Sequence, residues 1–222
     1  MLTQIRKTLK SYSSKQRAKT VASFFKTGKG EYSEGDIFIG VSVPDARKVA
    51  KMFYKDIDKK THSSLLKSAY HEERLCALLM LVEKFQKSKE PKEKKQIVDF
   101  YLKHKRWVNN WDLVDLTAAK ILGAYLLDKD RSLLQKLAAS KVLWDRRIAV
   151  VASYAFIREG DFEWTLHLSK FLLKDKEDLM HKACGWMLRE VGKKNKDVLV
   201  SFLDKHGEDM PRVMWRYARE RL

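Results

Sequence analysis

The stretch Glu73-Arg74-Leu75-Cys76-Ala77-Leu78 sets a basic residue ahead of small and apolar positions. The same arrangement returns at Arg146-Arg147-Ile148-Ala149-Val150-Val151 and at His181-Lys182-Ala183-Cys184-Gly185-Trp186. The matching residues Arg74, Arg147 and Lys182 stand 73 and 35 residues apart, so a unit of roughly 36 residues fits and puts one more copy near Asn110. The first copy runs on at helical period through Leu75, Leu78, Leu79, Val82 and Phe85. The sequence therefore predicts an all-α chain, an α-solenoid of stacked helical pairs. It is HEAT-like, although its period is shorter than the roughly 40 to 47 residues of HEAT and armadillo units. Stacked helix pairs curve, so a concave, cationic groove for a long partner is expected, with residues 1–222 forming a single domain.

The punctuation of the chain agrees with helices. Pro44, Pro91 and Pro211 each fall where a helix should begin, at the position whose missing N–H costs nothing. Gly160, Gly192 and Gly207 each follow an amphipathic stretch and are expected to end it in the left-handed conformation. About a dozen helices result. The one strand-like run, Ile37 to Val43, is short and has no evident partner. The segment Lys26 to Asp36 holds three glycines and reads as a mobile loop that touches a DNA backbone. It lacks the Gly-Lys-Ser/Thr ending and preceding strand of a nucleotide-binding loop.

Charge then narrows the partner. The 46 Lys and Arg outnumber the 29 Asp and Glu, a formal net charge of +17. Such an excess favours a polyanion, because each neutralised phosphate releases condensed counterions. A basic solubilising surface or an anionic membrane contact is the blander alternative, which charge alone favours less but leaves open. No apolar run is long enough to span a bilayer and the first ten residues lack a secretory core, so a monomeric, cytoplasmic, nucleoid-associated protein is expected. Cys76 and Cys184 sit in apolar helical patterns and read as reduced, buried thiols. No zinc-ligand spacing occurs, no metal or organic cofactor is implied, and most of the six histidines are expected on solvated helix faces.

Chemistry concentrates in three clusters. In Trp107-Val108-Asn109-Asn110-Trp111-Asp112-Leu113-Val114-Asp115, Asn110 is a good N-cap, Asp112 lies in the first turn, and Trp111 and Asp115 are four apart on one face. A plainer reading of the same residues has Trp111 in the core and Asp115 solvated or ion-paired. In Trp144-Asp145-Arg146-Arg147, Asp145 is expected to cap a helix and one of the two arginines must turn away from the core. The third cluster surrounds Trp186.

At these clusters the chain resembles the AlkD-like DNA alkylation repair family, alkylpurine DNA glycosylases built from HEAT-like repeats. Similar stretches also occur at Phe24-Phe25-Lys26, Phe38-Ile39-Gly40-Val41 and Gly185-Trp186-Met187-Leu188-Arg189-Glu190. The resemblance implies double-stranded DNA with alkylated bases as partner and hydrolytic release of cationic N3- and N7-alkylpurines without burial of a flipped base. By resemblance Trp111 and Trp186 are the two active-site tryptophans, Asp115 is the catalytic carboxylate, and Arg147 supports the DNA backbone near the lesion. Arg146, Lys182, Phe24, Lys26 and Lys29 are further candidates for DNA contact. Where some members have a tyrosine, this chain has Phe24 and Phe25, which removes a hydroxyl contact. The competing readings are a non-catalytic HEAT-like protein that recognises unusual DNA structure and a solenoid scaffold for an acidic protein.

Overall fold

The computed structural model describes residues 1–222 and contains fourteen α-helical segments and no β-strand. The chain divides into two compact units, Met1–Leu113 and Val114–Leu222. The first holds α1 (Leu2–Ser11), α2 (Lys15–Phe24), α3 (Val43–Phe53), α4 (Lys59–Leu66), α5 (His71–Lys87) and α6 (Pro91–Lys103). The division falls within the short helix α7 (Trp111–Asp115). The second holds a π-helical turn at Ala119–Gly123, then α8 (Ser132–Ala138), α9 (Leu143–Ala152), α10 (Tyr154–Arg158), α11 (Glu163–Phe171), α12 (Asp178–Lys194), α13 (Lys196–His206) and α14 (Arg212–Arg219).

The repeated stretches open α5, α7, α9 and α12, as a helical-repeat fold requires. The two 17-residue helices, α5 and α12, form the spine of their units. α5 buries Leu75, Cys76, Leu78, Leu79, Met80 and Leu81, and α12 buries Met180, Ala183, Cys184, Met187, Leu188 and Val191. Both cysteines are free thiols inside these cores.

Helix starts follow the local chemistry. Ser14, Ser42, Asp58 and Asn195 each accept a first-turn backbone N–H, which satisfies a donor the helix cannot. Pro44 and Pro91 lie in the first turns of α3 and α6, and Pro211 immediately precedes α14. The glycines divide. Gly160 has φ +81° just beyond α10, as expected. Gly192 instead lies inside α12, where Leu199 packs so closely that a Cβ would collide with it. Gly207 ends α13 in the right-handed region (φ −59°) and leads into a 3-10 turn.

The strand-like run at Ile37 to Val43 does find a partner, but only through one isolated bridge to Tyr70. It builds no sheet because the backbone N–H groups of Ile39, Gly40 and Val41 all donate to the buried carboxylate of Glu72. A side chain at the start of α5 thus takes the place of a neighbouring strand. Gly40 is required there: its φ is +77°, and a Cβ would strike the Ser14 carbonyl.

Candidate functional site

Trp111 opens α7 against the Gly-rich segment of the first unit. Phe25 stacks on it with ring centroids 4.7 Å apart and planes 10° from parallel, and Phe24 meets it edge-on at 5.9 Å. Phe25 is buried whereas Phe24 is 68% exposed, so one phenylalanine supports the indole and the other faces outward. Trp111 itself is only partly buried. The backbone N–H of Trp111 donates to the Asn110 side-chain oxygen at 2.8 Å, the capping role expected of Asn110.

The loop before it is pinned along its second half. Ser33 is buried, and the Asn110 amide donates to its hydroxyl at 2.5 Å and to Asp36 at 3.2 Å. In the first half, Gly28 and Gly30 donate to Glu31 and Glu34, while Lys26 and Lys29 are exposed and pair with no carboxylate. The two lysines therefore remain available cations.

Asp115, at the last position of α7, meets Arg147 of α9 through two parallel bonds. Nε donates to Oδ1 at 2.9 Å and Nη2 to Oδ2 at 2.8 Å. This fork geometry fixes a carboxylate in orientation as well as charge. Nη1 of Arg147 donates to the Leu179 carbonyl in the first turn of α12 at 2.5 Å. The Arg147 side chain is 6% exposed and that of Asp115 16%, so the guanidinium is enclosed and the aspartate is the more accessible of the two. Arg147 thus faces Asp115 inside the second unit, and its nearly buried side chain offers little to a phosphate.

Trp186 lies seven residues after Leu179 on α12, half-buried, its indole N–H donating to Glu190 at 3.2 Å. Tyr154 lies beside it with ring centroids 6.3 Å apart. Its neighbour Gly185 is pressed against α14, where an added Cβ would lie 2.5 Å from the Met214 carbonyl oxygen and 2.6 Å from the Tyr217 Cβ. α12 therefore packs tightly against α14 beside Trp186.

The remaining candidates differ in availability. Arg146 is engaged, donating to Asp175 and to the carbonyls of Ser140 and Lys141. Lys182 is partly exposed in an i,i+4 pair with Asp178, the kind of surface pair that a phosphate can displace at little cost. Asp145 does not cap α9. It lies in the first turn and accepts from the Ser140 hydroxyl at 2.9 Å.

Two features were not anticipated from sequence. Three of the six histidines, His62, His71 and His104, are buried. His71 stands between Asp36 and Asp112, a position with no local signal because its partners are 35 and 41 residues away. The other feature is on α14, where Arg212, Trp215, Arg216 and Arg219 form one exposed stripe, with the Arg219 guanidinium 4.1 Å from the Trp215 ring centroid. The i, i+3, i+4, i+7 spacing of this stripe was the available clue.

A family model for DNA alkylation repair enzymes matches residues 5–222. The chain belongs to that family. Among solved structures, a predicted DNA alkylation repair enzyme from Enterococcus faecalis is similar in fold at 15% identity, with a TM-score of 0.72 over 95% of this chain and 96% of that one. No curated protein matches the sequence. Family membership makes DNA the partner that the +17 charge is built to meet. No helix is long and apolar enough to cross a membrane.

Proposed function

We propose that this repair enzyme is a DNA glycosylase that hydrolyses the N-glycosidic bond of cationic N3- and N7-alkylpurines in duplex DNA, without burying a flipped base. The observation that carries this reading is the Asp115 carboxylate, gripped by Arg147 through both oxygens, with its side chain still 16% exposed.

The chemistry needs little more. An alkylpurine cation is already a good leaving group, so no strong general acid is called for. As the bond breaks, the deoxyribose becomes oxocarbenium-like, and a fixed carboxylate beside it stabilises that charge and orients or deprotonates the attacking water. Arg147 keeps the carboxylate in place through the cycle and acts as its positioning residue. Trp111 and Trp186 offer indole faces, which attract a cationic base or sugar by about 0.5 to 2 kcal/mol per contact. Phe24, Lys26 and Lys29 of the first unit and Lys182 of the second contribute DNA contacts, with Arg146 holding the chain around Asp175.

The test is single-turnover release of base from duplex DNA containing N7-methylguanine, comparing the native protein with Asp115→Asn. The expected loss is about 10²- to 10³-fold, the effect of removing one preorganised charge-stabilising group, with DNA affinity retained. Tight DNA binding with no release from either protein would replace this reading with the non-catalytic one. Equal release from both would keep the enzyme and discard Asp115.

A further inference from the structure

A buried polar network in the first unit surrounds the two neighbours of Trp111. The His71 ring, at the start of α5, presents Nδ1 to Asp36 Oδ2 at 3.1 Å and Nε2 to Asp112 Oδ2 at 2.8 Å. Ionised carboxylates only accept, so both bonds form at once only when the ring is the doubly protonated imidazolium. Arg74, one turn along α5, donates to the other oxygen of Asp36 at 2.5 Å and to the Ser68 carbonyl at 2.8 Å. Two carboxylates and two cations are therefore enclosed together, each side chain at most 9% exposed.

From this centre two arms reach the tryptophan. Asp36 accepts from the Asn110 amide, and the Asn110 oxygen accepts the Trp111 backbone N–H. On the other side, Asp112 accepts from His71 through one oxygen and from the Leu113 N–H through the other. The ring stack repeats the connection: Phe38 lies on His71 at 4.6 Å, and Phe25 lies 5.2 Å from His71 and 4.7 Å from Trp111.

We infer that His71, held as an imidazolium between Asp36 and Asp112, is a positioning residue that sets the backbone and ring orientation of Trp111. The inference deepens the reading of Trp111 as a lesion-contacting residue and rests on it for its functional meaning. Burial alone would disfavour charge on His71, but the Asp112 and Asp36 carboxylates outweigh burial and the opposing Arg74 charge, and the ring titrates at about 9. Burial also works against ionisation of Asp36, yet the His71 bond and Arg74 charge hold its carboxyl below the ordinary range. Asp36, Asp112 and Arg74 are the charged groups that face the ring. The arrangement therefore holds at neutral pH and is released when the imidazolium loses its proton.

The test reads the native protein directly. With nitrogen-15 labelling, the His71 ring is assigned from His71→Gln and the Trp111 and Trp186 indole N–H signals from Trp111→Phe and Trp186→Phe. At pH 7.5 both His71 ring nitrogens should be protonated. The ring should titrate near pH 9, with the Trp111 signal moving at the same midpoint and the Trp186 signal staying still. Titration of His71 below pH 7, or a Trp111 signal indifferent to it, would overturn the inference. In parallel, His71→Gln should release N7-methylguanine about tenfold more slowly with DNA affinity within about twofold. A folded variant with native release would equally overturn a positioning role. Absence of release from the native protein would remove the glycosylase reading and leave the spectral outcome standing, so the two failures are distinguishable.

Discussion

In the first unit a cation is enclosed between two carboxylates with an arginine behind them, each side chain at most 9% exposed. In the second unit the balance differs: the Asp115 carboxylate is held in the fork of an enclosed arginine and is more exposed than its partner, 16% against 6%. The difference separates two uses of buried charge. An enclosed ion cluster fixes backbone, as His71 does for the neighbours of Trp111. A forked pair fixes the orientation of one carboxylate, as Arg147 does with Asp115.

The sharpest way to break this contrast is to remove Arg147. Arg147→Leu leaves Asp115 without its forked partner and the Leu179 carbonyl without its donor, and should cost about 3 kcal/mol by urea unfolding, at the low end for breaking a buried pair because the Asp115 side chain is 16% exposed. Arg147→Lys should recover only part of this, since an ammonium cannot match both carboxylate oxygens. A loss below about 0.5 kcal/mol would place the pair with ordinary surface ion pairs.

A second effect of similar size depends on pH. The folded His71 is raised to about 9 from an ordinary value of 6.5. Its contribution is thus fully present below pH 6.5 and lost as pH rises toward 9, on the order of 3 kcal/mol. His62 acts on the other arm. Burial depresses it to about 4, so the stability of keeping it neutral is present above pH 6.5 and lost as pH falls toward 4. Urea unfolding across pH should give a maximum near pH 6.5, and His71→Gln should flatten the alkaline arm between 6.5 and 9. An unchanged alkaline arm in that variant would assign the loss to other groups.

Smaller effects sharpen the picture near each tryptophan. Gly185→Ala should cost about 1 to 3 kcal/mol, because its Cβ meets α14 backbone that cannot yield as a flexible side chain would. Thermal unfolding unchanged from native would show that α12 and α14 separate freely. Phe24→Ala should change stability by no more than about 0.5 kcal/mol, as an exposed side chain, while weakening binding to lesion DNA a few-fold in a fluorescence titration. Unaltered affinity would leave Phe25 as the only phenylalanine that serves Trp111.

Much of the fold could be read in advance because its signals are local. The repeated openings of α5, α7, α9 and α12, the three prolines and the capping role of Asn110 depend on residues within a turn or two of one another. The misreadings have the opposite origin. Gly192 resembles a terminator until Leu199, from the following helix, is seen to need its missing side chain. Ile37 to Val43 resembles a strand because nothing nearby reveals that Glu72 will occupy its N–H groups. His71 was passed over because a histidine at a helix start is ordinary, and only two distant aspartates make it otherwise.

The two thiols acquire a meaning of their own in a DNA alkylation repair enzyme. Electrophiles that methylate purines attack thiolates readily, and the thiolate is the reactive form of cysteine. Burial pushes both Cys76 and Cys184 up to about 12, which at neutral pH leaves roughly one molecule in 10⁵ ionised at either position. Neither cysteine is therefore a ready thiolate target for the reagents that create the damage the protein's family repairs.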